Sequence, residues 1–185
     1  MIKKNFIQKN NLSRKSVQKL SKNFQKIIKE IRESIENPNN IFNVLSDNYK
    51  FNFKIKELKR FSKFNNLVII GMGGSILGSE AIYGFLKKKI KKKIYFFDDI
   101  NEQKISKFKK KVNISKTVFL VISKSGNTIE TLSNFFSLKI IEKVKKNIII
   151  ISEKKDNILY SLSKKFNLFY VEHKDYIGGR YSVLS

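Results

Sequence analysis

Two periodicities divide this chain. From Val17 the apolar residues recur at steps of three and four, through Leu20, Phe24, Ile27, Ile31 and Ile35. That spacing is the stripe of an amphipathic helix. Ser13 stands where an N-cap is needed, and Pro38 between asparagines ends the helix. Residues 41–64 are mixed and predict short helices and a connection. From Asn66 onward the pattern changes to short apolar runs separated by helical stretches. The runs predict strands over 67–70, 93–97, 117–122, 147–151 and 168–171. The stretches between them predict helices over 77–89, 101–111, 128–145 and 156–166, the third with Ile129, Leu132, Phe136 and Ile140 on its apolar face. The first strand is apolar throughout rather than alternating, as in a parallel sheet buried on both sides. Strand and helix in alternation imply right-handed crossovers. The predicted fold is therefore α/β, a doubly wound parallel five-stranded sheet over 66–185 with an N-terminal helical extension over 1–65. There is no internal repeat and no linker long enough to split the chain.

Composition narrows the chemistry. The chain has 185 residues, enough for one domain with a proper core, and 41% of them are hydrophobic. With no cysteine, disulfides, thiolate metal ligands and cysteine nucleophiles are excluded. A single histidine argues further against a zinc site of nitrogen and sulfur ligands, and no metal is expected. The lack of disulfides is compatible with a reducing cytoplasm.

The formal net charge of +24 invites a nucleic-acid reading. The lysines are spread along the whole chain, however, and lysine, asparagine, isoleucine and phenylalanine are what A/T-rich codons encode. The charge therefore reads as genome composition, and no nucleic-acid partner is expected. The densest basic run, 87–93, reads as the basic end of a helix, where the dipole favours cations. No segment reaches the roughly 18 apolar residues of a membrane span. Residues 1–19 lack the apolar core of a secretory signal. They are basic, contain serine and have no acid before Glu30, so a transit peptide is the alternative reading there.

Two loops carry the candidate chemistry, each at the carboxyl end of a predicted strand, where open parallel sheets bind ligands. The first runs Gly71, Met72, Gly73, Gly74, Ser75, Ile76, Leu77, Gly78. Its glycines permit positive φ and close backbone approach, and the helix after it offers free N–H groups. A dinucleotide fingerprint needs glycine where Ile76 stands, although Asp98 and Asp99 do end the next strand. A P-loop needs lysine where Ser79 stands. A plain strand-to-helix turn needs only one or two glycines.

The second loop is Ser123, Lys124, Ser125, Gly126, Asn127, Thr128, opening the following helix. Hydroxyls and amides converging at a helix N-terminus make an anion cradle suited to phosphate. Ordinary N-capping by Ser125 or Thr128 is the simpler reading, but it needs one such residue and the loop supplies three.

Together the loops resemble the sugar isomerase (SIS) domain, a sugar-phosphate-binding module. The C-terminal run Asp175, Tyr176, Ile177, Gly178, Gly179, Arg180, Tyr181, Ser182, Val183, Leu184, Ser185 is similar to the signature of glucose-6-phosphate isomerases. The resemblance covers about 67–185, and the second loop is closer to the bacterial form than to the animal one.

The resemblance implies interconversion of glucose 6-phosphate and fructose 6-phosphate, a step of glycolysis and gluconeogenesis, through a cis-enediol and without any cofactor. It implies substrate contacts at Gly73, Gly74 and Ser75. It implies phosphate contacts from Ser123, Lys124, Ser125, Gly126, Asn127 and Thr128, and enediolate stabilisation by Arg180. It implies a cytoplasmic homodimer with a hexose 6-phosphate substrate and no membrane partner. The family's catalytic glutamate, histidine and lysine lie downstream of the signature, as does a second SIS-like domain. The 185 residues alone are thus expected to be inactive, and a non-catalytic sugar-phosphate-binding module is the alternative. His173 reads as a solvent-facing or strand-end histidine, and Glu130 as first-turn helix chemistry.

Overall fold

The computed structural model describes residues 13–179. They fall into two compact units, dividing between Tyr49 and Lys50. In the first, α1 (Arg14–Ile35) begins where its sequence signals it. The Ser13 hydroxyl accepts from the Ser16 N–H at 3.2 Å. Lys26–Glu30 and Lys29–Glu33 pairs lie one turn apart along the helix. Val17, Leu20, Phe24 and Ile27 are exposed, whereas Ile31 and Ile35 are partly covered. After Pro38 a 3₁₀ turn follows at Ile41–Leu45, and the Asn43 amide donates to the Ile35 carbonyl at 2.7 Å.

The second unit opens with α2 (Ile55–Leu58) and a 3₁₀ turn. It then alternates as the pattern predicts: β1 (Asn66–Ile70), α3 (Leu77–Leu86), β2 (Lys93–Phe97), α4 (Glu102–Lys111) and β3 (Thr117–Ile122). Next come α5 (Ile129–Ser137), α6 (Ile140–Val144), β4 (Ile148–Ser152), α7 (Ile158–Phe166) and β5 (Phe169–Glu172). All four strand pairings are parallel, in the order β2-β1-β3-β4-β5. The fold is thus α/β, with a five-stranded parallel sheet.

The pleat divides the core in two. One face carries Val68, Ile70, Phe119, Val121, Ile148 and Ile150, closed by Ile105 and Phe108 of α4, Leu132 and Phe135 of α5, Ile140 of α6 and Leu159 of α7. The other buries Ile69, Ile122 and Ile76, with Leu67, Ile94, Phe96, Leu120 and Ile151 only partly covered. At Phe108 a ring of edge-on aromatic contacts joins Tyr95, Phe97 and Phe119, the geometry that ring quadrupoles favour.

The structure differs from expectation in three places. The single helix over 128–145 is two. Lys139 adopts a left-handed conformation, φ 49°, and this stops α5 and redirects the chain into α6. The face of α5 is also rotated. Ile129 and Phe136 are exposed, while Thr131, Leu132, Asn134 and Phe135 are buried. The basic run 87–93 lies past the last residue of α3, in the connection to β2 and at the first residue of that strand, Lys93. Among the described residues, no helix is long and apolar enough to cross a membrane.

Candidate functional site

Both glycine- and serine-bearing loops leave the carboxyl ends of β1 and β3, which lie side by side at the centre of the sheet. From β1 the chain crosses outward to β2, and from β2 it returns past β1 to β3. This reversal leaves a crevice between β1 and β3, the usual ligand position in an open parallel sheet.

After β1 the chain does not enter α3 directly. It makes a 3₁₀ turn at Gly73–Ser75, with the Ser75 N–H donating to Met72 O and the Ile76 N–H to Gly73 O, both at 3.0 Å. Gly73 has φ +52°, and a Cβ there would meet nothing within 4 Å, so this glycine faces open space. Ser75 is buried beneath the turn, and Gly74 is partly covered.

The loop after β3 is built around its hydroxyls. Ser123 Oγ lies 2.8 Å from Thr128 Oγ1 and 3.4 Å from Ser125 Oγ. Thr128 and Ser125 are themselves 3.5 Å apart. The Gly126 N–H donates to Ser123 Oγ at 3.2 Å. Thr128 occupies the N-cap position of α5, yet its side chain makes no capping hydrogen bond. Capping therefore does not account for these hydroxyls; they converge on one another at the positive end of a helix.

Gly126, at φ +69°, is held over Asn157, whose side chain would overlap any Cβ at that position. Asn157 in turn donates to Glu153 O at 2.8 Å and Lys155 O at 3.1 Å, and accepts from the Tyr160 N–H at 2.8 Å. Two more bonds fasten the loop to α7, from the Ile158 N–H to Asn127 Oδ1 at 2.9 Å and from the Leu159 N–H to Gly126 O at 3.2 Å. The loop is thus braced from behind by the start of α7.

Not every expected site residue points its side chain the same way. The Asn127 side-chain oxygen Oδ1 accepts from the Ile158 N–H at the start of α7. The Lys124 ammonium donates to Asp175 O at 2.8 Å and pairs with Glu153 Oε1 at 3.3 Å. Arg180 lies outside the described residues. Met72, Gly73, Gly74, Ser75, Lys124, Ser125, Thr128, Glu153, Lys155 and Gly179 together line an open cleft of about 680 Å³. The two loops and the run before Arg180 therefore share one cleft.

Glu153, Lys155 and Asn157 were not singled out in the sequence. The available signal was position, since all three follow the carboxyl end of β4. Glu153 is buried, and its second carboxylate oxygen pairs with Lys155. Burial opposes its ionisation, but hydrogen bonds from Lys155 and Lys124 outweigh that and hold its carboxyl below the usual range.

His173 follows β5 and is buried, so the solvent-facing alternative is corrected and the strand-end one stands. Its Nδ1 donates to Lys174 O at 2.8 Å. Asp98 and Asp99, the acids a nucleotide site would use, both pair with Lys104, at 2.7 Å and 3.0 Å. Among the described residues there is no group of three histidine, cysteine or carboxylate side chains able to hold a metal ion.

A profile of the phosphoglucose isomerase family matches residues 20–185. A probable glucose-6-phosphate isomerase of Methanococcus maripaludis is 35% identical over 171 residues, which are 86% of this chain and 38% of that protein. The glucose-6-phosphate isomerase of Borreliella burgdorferi is 35% identical over 135 residues, 66% of this chain and 25% of that one. The chain therefore spans well under half the length of either relative. Among solved structures, a glucose-6-phosphate isomerase of Chlamydia trachomatis superposes with a TM-score of 0.57 at 27% identity, over 68% of this chain and 25% of its own. A hypothetical protein of Thermus thermophilus superposes with a TM-score of 0.70 over 91% of this chain and 43% of its own; at 20% identity, it shares the fold. A profile match along nearly the whole chain, with the loops at the switch point of the sheet, makes this chain a member of the phosphoglucose isomerase family.

Proposed function

We propose that the cleft is the hexose 6-phosphate site of a glucose-6-phosphate isomerase. The reaction is the interconversion of glucose 6-phosphate and fructose 6-phosphate in the cytoplasm. The observation that carries this reading is the convergence of the Ser123, Ser125 and Thr128 hydroxyls at an α5 N-terminus that none of them caps. A phosphate dianion accepts several such donors at once and gains from the helix dipole. The sugar then extends over Gly73, Gly74 and Ser75, where the bare Gly73 leaves room for it. Arg180 supplies a permanent positive charge for the enediolate that forms as a proton moves between C2 and C1. In the whole enzyme a homodimer is the expected assembly.

Among the described residues, the sole carboxylate lining the cleft is Glu153. It is tied to two lysines and held below the usual carboxylate range, which suits it poorly to abstract a carbon-bound proton. The 185 residues alone should therefore bind hexose 6-phosphate without isomerising it. Titration calorimetry with fructose 6-phosphate, beside a coupled isomerase assay, tests both halves. Ser123→Ala with Thr128→Ala should weaken binding by roughly tenfold or more, two charge-assisted hydrogen bonds being lost, while the circular dichroism spectrum is retained. Unchanged affinity in that variant would place the cradle elsewhere. Turnover comparable to that of a full-length relative would overturn the assignment of Glu153 as a non-base.

A further inference from the structure

Residues 175–179 lead into Arg180 and bring Gly179 to the cleft. Two fastenings hold this strip. On one side Ile177 is buried, at 1% exposure. On the other the Lys124 ammonium donates to the Asp175 carbonyl at 2.8 Å, and the Lys124 stem lies alongside Gly179. The same ammonium stands 3.3 Å from Glu153 Oε1. Glu153 is itself fixed, its N–H donating to the Lys124 carbonyl at 3.0 Å and its side chain only 8% exposed. A carboxylate that is so little exposed needs its ionic partners. Of the two lysines that pair with it, Lys124 is the one bonded to the strip.

We propose that Glu153 and Lys124 form an ion-paired latch that fixes residues 175–179 at the cleft. The Lys124 side chain is then a positioning residue for Gly178 and Gly179 rather than a ligand of the phosphate. The latch deepens, and rests on, the reading of the cleft as a hexose 6-phosphate site. It divides the work of the second loop: its hydroxyls and amides receive the phosphate, and its one cation holds the segment that meets the sugar. A lysine suits the task because its long stem reaches across the cleft while its three donors serve a carboxylate and a carbonyl together.

The test uses the 185-residue chain and two readouts. The first is hydrogen exchange across residues 174–179. The second is calorimetric affinity for fructose 6-phosphate and, separately, for inorganic phosphate. Lys124→Met and the nearly isosteric Glu153→Gln should each speed exchange at Tyr176 and Ile177 about fivefold or more, the factor that corresponds to roughly 1 kcal/mol. Exchange in β1 and β3 should stay as it is, which reports an intact fold. The double variant should go no further than either single one, and Lys124→Arg should keep most of the protection. Lys124→Met should lower affinity for fructose 6-phosphate and spare that for inorganic phosphate. The latch is overturned if exchange at 174–179 is unmoved in either single variant, or if phosphate affinity falls as steeply as sugar-phosphate affinity. Should the unsubstituted chain bind neither ligand, the hexose-phosphate reading fails, and the exchange data still decide whether the latch exists.

Discussion

At the scale of single residues, the site depends on contacts between positions far apart in sequence. Gly126 is the sharpest case. Its φ of +69° and the Asn157 side chain beneath it both exclude a Cβ. Gly126→Ala should therefore destabilise the second unit by about 1–3 kcal/mol, the usual scale for a residue forced into a left-handed conformation with a neighbour to displace. A drop in urea midpoint, with phosphate binding weakened in parallel, is the expected result. His173 offers a cleaner reporter because it is the one histidine in the chain. Burial lowers its pKa, opposed by its bond to the Lys174 carbonyl. Its imidazole resonances should titrate with a midpoint below the ordinary value of about 6.5. The sign for stability follows. The unfolded chain binds this proton more readily, so stability is intact above about pH 6.5 and falls as the pH drops through the folded-state value. A midpoint at or above the ordinary value would mean that the ring is solvated.

At the scale of elements, legibility followed burial. The strands could be placed within about a residue because a parallel sheet covered on both faces demands an unbroken apolar run, as in Leu67, Val68, Ile69 and Ile70. The break between α5 and α6 was not legible. It turns on Lys139 at φ 49°, and lysine carries no signal for that conformation. The rotated face of α5 has a related cause: two of its buried positions are the polar Thr131 and Asn134, the latter donating to Asp99 O at 2.9 Å. In the site, side-chain chemistry exposed the three hydroxyls, whereas Glu153 and Asn157 act through contacts that only the folded sheet creates. The αL position makes a prediction of its own. Glycine pays no Cβ penalty there, so Lys139→Gly should raise stability by about 0.5–1 kcal/mol, read from chemical denaturation. A loss of stability would show that the lysine side chain contributes more than its backbone strain removes.

At the scale of the whole molecule, charge is the dominant fact. A net charge of +24 on 185 residues must repel itself in any compact state. Among the described residues the ion pairs are few, and most are at least partly exposed, so they relieve little of it. The thermal midpoint should therefore rise between about 10 mM salt, where the Debye length is roughly 30 Å, and about 0.15 M, where it is roughly 8 Å. A midpoint that falls over this range would indicate that attractive pairs outweigh the repulsion.

The strand order has a consequence for the chain as it is made. The ribosome releases β1 first, and β1 lies at the interior of the finished sheet with β2 on one side and β3 on the other. Each later strand then meets a partner that has already emerged: β2 and β3 on β1, β4 on β3, β5 on β4. The sheet can grow in the order of synthesis, with no strand left waiting for one not yet translated. The second loop follows a different schedule. It emerges with β3 but gains its brace only when Asn157 appears, after β4. A nascent chain halted before that point would hold the loop's hydroxyls without the support that fixes them, so the phosphate binding proposed for this loop should switch on only once the start of α7 has been released.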